Sequence, residues 1–172
     1  MILEIFIWVT AFFLIIFFGG ALFGATWIPT KKKEFERIAR LVQLNPGMIF
    51  YDLGSGDAKL LFYLAQKYNV ICVGIEISPI LYLYSKFKSL FSNNVRIKYG
   101  NFLKYDLSNA DVIYAFLLPS FYPKLERKIR DNINKESTLI LLSTWPFENK
   151  KQFKIDEKKG ETVYYLYKKA DL

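Results

Sequence analysis

Beyond residue 30 the apolar positions switch repeatedly between helical spacing and short continuous runs. Residues 31–44 place Phe35, Ile38, Ala39, Leu41 and Val42 on one side of a helix, and Asn45-Pro46-Gly47 stops it. Residues 48–53 form an apolar run of strand length. Residues 58–68 return to helical spacing, with Leu60, Leu61, Leu64 and Ala65 facing inward. Residues 70–75 are continuously apolar, as in a strand covered on both faces. Pro79 opens a helix that reaches about Phe91, Asn93-Asn94 turns the chain, and residues 95–99 make a short third strand. Residues 111–117 and 138–143 predict two more strands around a basic amphipathic helix at 122–134. Residues 152–156 and 161–168 flank Lys158-Lys159-Gly160 and predict an antiparallel hairpin. Strands alternating with helices, then a terminal hairpin, predict a three-layer α/β sandwich around a mostly parallel seven-stranded sheet.

The N-terminal residues follow a different pattern. Residues 5–28 carry no charge and are rich in Phe, Ile and Leu. At ~1.5 Å per residue, a helix of that length crosses a hydrocarbon core of ~30 Å. Pro29 ends the stretch and Lys31-Lys32-Lys33 follow, whereas the other flank holds Glu4 and no lysine or arginine. The positive-inside rule then puts the following domain on the cytoplasmic side. A cleaved signal peptide would need a basic start and a shorter apolar core with a small-residue cleavage site, which this segment does not offer. The expected organisation is a transmembrane anchor at residues 1–28 ahead of a domain at 31–172. The chain is thus expected to be a single-pass membrane protein touching lipid through its N-terminal helix. Gly20 and Gly24 form a Gly-x-x-x-Gly pair that suits close packing of two anchors, but they do not define an oligomeric state.

The sharpest chemical signal lies where the first strand runs into Asp52-Leu53-Gly54-Ser55-Gly56-Asp57 and the second, Val73-Gly74-Ile75, ends on Glu76. An acid, a glycine turn, a helix and a second strand ending in a carboxylate make up a Rossmann-like nucleoside site at the top of a parallel sheet. A dinucleotide site would want a further glycine where Lys59 stands. It would also bring a pyrophosphate to the helix start, where Asp57 repels an anion. S-adenosylmethionine has no phosphate; its sulfonium and ammonium are favoured electrostatically by Asp52. Glu76 is placed to accept hydrogen bonds from the ribose hydroxyls. A plain strand-to-helix turn with a capping acid would account for Gly54, Gly56 and Asp57, but not for Asp52 and Glu76 beside them.

Charge narrows the chemistry further. All 24 Lys and Arg and 15 of the 16 acids lie beyond residue 30, so this part is more basic than the chain's net +8. Such charge holds a domain against anionic headgroups, and it also attracts nucleic acid, but no nucleic-acid-binding motif accompanies it. The chain has no histidine, which excludes serine–histidine and cysteine–histidine catalysis and histidine metal sites. No metal cluster of acids is evident, so no metal is expected. Cys72 is the only cysteine, so no intramolecular disulfide forms, in keeping with a reducing compartment.

These residues resemble the class I S-adenosylmethionine-dependent methyltransferases over nearly all of residues 31–172. More narrowly, the chain is similar to the small protein-lysine methyltransferases. These include the archaeal broad-specificity enzyme and the mitochondrial enzymes acting on the ATP synthase c-subunit and the adenine nucleotide translocase. The shared pattern is Trp27-Ile28-Pro29-Thr30, the turn from Asp52 to Asp57, Glu76, Phe116-Leu117-Leu118-Pro119-Ser120 and Trp145-Pro146. The resemblance implies that Asp52, Gly54 and Gly56, with Ser55 and Asp57 in the same turn, line the methionine side of the cofactor. Glu76 would bind the ribose, and Asn101 and Phe102 would lie beside the adenine. Two residues depart from the pattern: Ala58 replaces a third glycine, and Asn101 replaces an aspartate, so an adenine hydrogen bond would have to use the amide oxygen.

The expected activity is transfer of a methyl group to a protein lysine. The sulfonium activates the methyl group, so the protein's task is to align the acceptor and keep its amine neutral. Phe116, Leu117, Leu118 and Pro119 leave the fourth strand beside the expected methyl group; with Phe121, Tyr122 and Trp145 they are candidates for an apolar acceptor channel. No general base is assigned. Methylation of a lipid or isoprenoid is an alternative, as is a non-catalytic, cofactor-binding membrane assembly factor. RNA methylation is disfavoured, because target-base motifs such as Asn-Pro-Pro-Tyr are absent.

Overall fold

The computed structural model describes residues 3–8, 10 and 29–172. Helix α1 (Lys32–Leu41) buries Phe35, Ile38, Ala39 and Leu41 along one stripe. Strand β1 (Ile49–Leu53) leads to α2 (Lys59–Tyr68), and β2 (Ile71–Glu76) leads to α3 (Pro79–Ser89). Strand β3 (Val95–Tyr99) is followed by a 3-10 turn at Phe102–Lys104 and by β4 (Val112–Ala115). A second 3-10 turn, Pro119–Phe121, runs into α4 (Tyr122–Asn132) and then β5 (Leu139–Ser143). The chain closes with β6 (Lys154–Asp156) and β7 (Tyr164–Lys168).

The seven strands form one sheet in the order β3-β2-β1-β4-β5-β7-β6. Strands β1 to β5 are mutually parallel, whereas β7 pairs antiparallel with both β5 and β6. Side chains alternate across the sheet, so each strand feeds two cores. Phe50, Cys72, Val112 and Tyr114 pack with α1 and α2 on one face. Tyr51, Leu53, Val73, Ile75 and Ile113 pack with Leu125 and Ile129 of α4 on the other. This is the expected Rossmann-like sandwich with its terminal hairpin.

The ends of several elements differ from expectation, for reasons the register makes plain. Strand β4 stops at Ala115, two residues short, where its neighbour β1 ends: Ala115 pairs with Leu53, and β1 then enters the glycine turn. Residues 116–118 are therefore released from the sheet. Strand β7 starts late because Glu161 and Thr162 are used elsewhere. Their carboxylate and carbonyl accept hydrogen bonds from Arg37 Nη1 at 3.3 and 2.8 Å. Arg37 also donates to Asp156 Oδ2 at 2.7 Å and to Glu34 Oε2 at 3.1 Å, and its guanidinium lies 4.9 Å from the centre of the Tyr164 ring. One buried cation thus ties α1 to the terminal hairpin.

Residues 3–8 and 10 are helical, with the apolar side chains of Leu3, Ile5, Phe6, Ile7 and Trp8 exposed. Among the described residues no helix is long and apolar enough to cross a membrane. The expected transmembrane helix is thus not among the described elements. Most of residues 1–28, including Gly20, Gly24 and Trp27, lies outside the described residues.

Candidate functional site

The carboxyl ends of β1, β2 and β4 converge on Asp52. In register it sits between Gly74 of β2 and Tyr114 of β4. Its side chain is only 5 % exposed. Among the described residues no hydrogen-bond donor engages its carboxylate. Burial, and then the charges of Glu76 and Asp57, push its pKa up to about 8. A buried acid held among acids and lacking a donor is an environment that rewards a cation.

Glu76 clamps the turn: Oε2 accepts from the Gly56 backbone N–H at 2.7 Å, and Oε1 accepts from the Ser78 N–H at 2.7 Å. A carboxylate has about four acceptor positions, so both oxygens keep capacity for further donors. The Gly54 and Ser55 N–H groups donate to the Ile75 carbonyl at 2.8 and 3.2 Å, which fastens the turn to the end of β2. Gly74 makes that closure possible. A Cβ there would lie 2.6 Å from Ser55 Oγ, 2.8 Å from Leu61 Cδ1 and 2.9 Å from Ile97 Cδ1. No role for Gly74 is evident from its residue type alone; the signal in the sequence is a glycine inside a buried strand, opposite a glycine turn. Ser55 Oγ is buried with no hydrogen-bond partner among the described residues.

Other expected site residues turn out to have structural duties. Asp57 Oδ2 lies 2.5 Å from Lys59 Nζ, and Oδ1 accepts from the Lys59 N–H at 3.3 Å, so it caps α2 as well as facing the site. Ala58 adopts φ +56, the left-handed conformation that glycine favours. Its methyl group costs on the order of 1–2 kcal/mol there. Asn101 Oδ1 accepts from the Leu103 N–H at 3.0 Å and caps the 3-10 turn. An adenine amino group would therefore have to share an oxygen already in use. Phe102 is buried, with its ring 6.4 Å from that of Phe121.

The candidate acceptor wall assembles in part. Leu117 reaches over Gly54, where an added Cβ would sit 3.2 Å from Leu117 Cδ2. Gly54 itself has φ +86, so any side chain there would be both strained and crowded. Phe116 and Trp145 lie with ring centres 6.3 Å apart, and both are half-buried, as are Leu117 and Leu118. Pro119 is exposed and starts the 3-10 turn. Tyr122 is not part of the wall: it is buried in the core and donates its hydroxyl to the Ser143 carbonyl at 3.3 Å. Thr30 Oγ1 lies 3.1 Å from the Tyr114 hydroxyl, so the chain entering α1 is fixed beside the strand that flanks Asp52.

This sheet order, with an anionic pocket at the ends of β1 and β2 and an apolar wall after β4, defines a class I S-adenosylmethionine-dependent methyltransferase. Comparison with known proteins agrees. The ANTKMT methyltransferase domain matches residues 52–154. The chain belongs to that family. It is 28% identical over 149 residues to the protein-lysine N-methyltransferase of Saccharolobus islandicus, covering 82% of this chain and 91% of that protein. It is 34% identical over 125 residues to the carboxy-S-adenosyl-L-methionine synthase of Nautilia profundicola, covering 69% of this chain and 52% of that protein. The fold matches an RNA methyltransferase from Salinibacter ruber in complex with S-adenosyl-L-homocysteine, with a TM-score of 0.77 at 24% identity, over 82% of this chain and 93% of that one. It also matches an S-adenosylmethionine-dependent methyltransferase from Geobacter sulfurreducens, with a TM-score of 0.59 at 17% identity, over 84% of this chain and 58% of that one.

The residues present fit that cofactor. The buried Asp52 carboxylate lacks a donor, Ser55 Oγ is unpartnered, and the space over Gly54 is one that a side chain would fill.

Proposed function

We propose that this chain is a membrane-anchored protein-lysine methyltransferase. The observation that carries the acceptor class is the likeness to a protein-lysine N-methyltransferase across 91% of that protein's length. The anchor rests on the uncharged residues 5–28 followed by Lys31-Lys32-Lys33, which puts the domain on the cytoplasmic side.

Bound S-adenosylmethionine supplies an activated methyl group; the remaining tasks fall to the chain. Asp52, once ionised, balances the positive charges of the methionine portion, and the backbone around Gly54, Ser55 and Gly56 carries it. Glu76 holds the ribose with the acceptor capacity left over from the turn. Asn101 and Phe102 border the base. Phe116, Leu117, Leu118, Pro119 and Trp145 shape the acceptor's approach. Their low polarity disfavours the ammonium form of an incoming lysine and so promotes the neutral, nucleophilic amine.

The test is transfer of labelled methyl from S-adenosylmethionine into native membranes by the purified chain, with a Gly54→Arg control. Label in a protein band, mapped to lysine, is the expected result. Label in the lipid extract would reassign the acceptor to a lipid. Cofactor binding without any transfer would replace catalysis by an assembly role.

A further inference from the structure

Helix α3 is built inside out. Its inward face, against β2 and β3, carries Ser85 and Ser89, with Ser85 0 % exposed. Their hydroxyls are satisfied by the Tyr82 and Lys86 carbonyls at 3.1 and 2.7 Å, so these serines pack as small residues and bring the helix close to the sheet. Its outward face carries Ile80, Leu83, Tyr84 and Phe87, continued by Leu90 and Phe91 just past its end. Leu83 is 65 % exposed, Phe87 64 % and Phe91 80 %. Their spacing, at i, i+3, i+4, i+7, i+10 and i+11, makes one continuous ridge. Beside Phe91 a groove of about 560 Å³ has a mixed lining, Phe62 and Ala65 of α2 with Gln66, Ser92, Asn93 and Asn94, and marks the polar end of the ridge. Soluble domains rarely leave such a contiguous patch uncovered.

The charges around the ridge identify what covers it. Between Glu76 and Asp106 the chain holds no carboxylate, and α3 itself carries two cations, Lys86 and Lys88. Lys88 stays at the margin, with Nζ 4.6 Å from the Phe62 ring centre and 5.4 Å from that of Tyr84. Apolar and aromatic side chains bordered by lysines are the composition of a helix lying in the headgroup region of an anionic bilayer. A second copy of the chain fits poorly, because a two-fold contact would set these cations against themselves. Helices α1 and α2 and Tyr82 of α3 share one core, so the ridge belongs to the same layer as Lys31-Lys32-Lys33.

We propose that the outward face of α3 is a bilayer-docking surface that seats the domain on anionic lipid headgroups. It is separate from methyl transfer and from the acceptor's identity, and shares with the preceding reading only the presence of a bilayer. Docked this way, the start of α3, next to Glu76 and Ser78, keeps the candidate site at the membrane surface.

The test uses the full chain with cysteine at position 83 or 87, carrying an environment-sensitive fluorophore, and with Glu136→Cys as the control. Cys72 does not interfere, since it is buried and burial pushes its thiol up to about 12. Vesicles of phosphatidylcholine with and without phosphatidylglycerol are compared. Docking predicts a blue shift and a several-fold drop in iodide quenching for Leu83→Cys and Phe87→Cys but not for Glu136→Cys. The effect should be larger with phosphatidylglycerol and weaker in salt. If the chain floats with vesicles while positions 83 and 87 stay as open to iodide as 136, the anchor stands and docking is overturned. If it does not float and both labels stay open, both readings fall. Protection that needs no lipid, or cross-linking between two copies through position 87, would assign the face to a protein contact and overturn docking.

Discussion

Replacing Asp52 with asparagine preserves the shape of the pocket and removes one titrating proton from its floor. In the folded protein Asp52 is pushed from an ordinary 3.8 up to about 8 by burial and by the charges of Glu76 and Asp57. Its folded pKa lies above its unfolded one, so its contribution to stability is fully present below pH 3.8 and is lost as pH rises toward 8. At about 1.4 kcal/mol per pH unit, a few kcal/mol of that loss falls between pH 5 and 8. The chain contains no histidine, and the carboxylates that shift elsewhere, Glu36, Asp106 and Asp156, move downward and titrate in acid. Urea unfolding at pH 5, 6, 7 and 8 is therefore expected to show the parent chain losing a few kcal/mol while Asp52→Asn loses much less. The variant should be the more stable protein at pH 8.

The same proton governs cofactor affinity. A cation beside Asp52 favours the carboxylate, so binding below pH 8 releases a proton, and affinity rises with pH by up to about tenfold per unit. Calorimetry in two buffers of different ionisation enthalpy reads that proton directly. Asp52→Asn should bind at least about tenfold more weakly at pH 8, release no proton and lose the pH slope. Parallel stability curves for the two proteins, or equal proton release, would falsify the account of Asp52 as a buried acid held ready for a cation.

Five further substitutions probe the frame around the site. Arg37→Met strips the cation from the buried Glu34, and should cost about 3–5 kcal/mol in urea unfolding. Arg37→Lys should restore little of it, because an ammonium cannot reach Glu34, Asp156 and the Thr162 carbonyl at once. Gly74→Ala places a methyl group within 3 Å of Ser55, Leu61 and Ile97; a loss of about 1–3 kcal/mol, with weaker cofactor binding, is expected. Ala58→Gly relieves a left-handed alanine but gives up a buried methyl group and loosens the unfolded chain. These effects offset, so stability should change by less than about 1 kcal/mol, whereas Ala65→Gly inside α2 should cost about 1 kcal/mol or more.

What could be read in advance and what could not divide along a physical line. Asp52, Gly54, Gly56 and Glu76 were legible because one strand, one turn, one helix and the next parallel strand bring them together, and that unit is continuous in the chain. The Arg37 cluster was not, since it joins residues 119 and 124 positions apart whose meeting depends on the hairpin folding back over α1. For Asp57 and Asn101 the contacts with nearby backbone N–H groups were not legible. Residue type marks them as acceptors, but whether an acceptor serves a ligand or a helix end depends on which N–H group the turn presents. Helix α3 was legible as a helix opening at Pro79, but the face it buries was not. Its apolar period is that of a buried face, and period alone announces a stripe without saying which way it points. Direction is set by what the opposite face permits: Ser85 and Ser89 let the backbone approach β2 and β3 closely, and a ridge of Leu83, Phe87 and Phe91 there would hold it away. A helix whose small residues win the contact with the sheet leaves its large ones for a different solvent. The bilayer surface proposed above as its occupant is a solvent that accepts both an apolar ridge and a lysine margin.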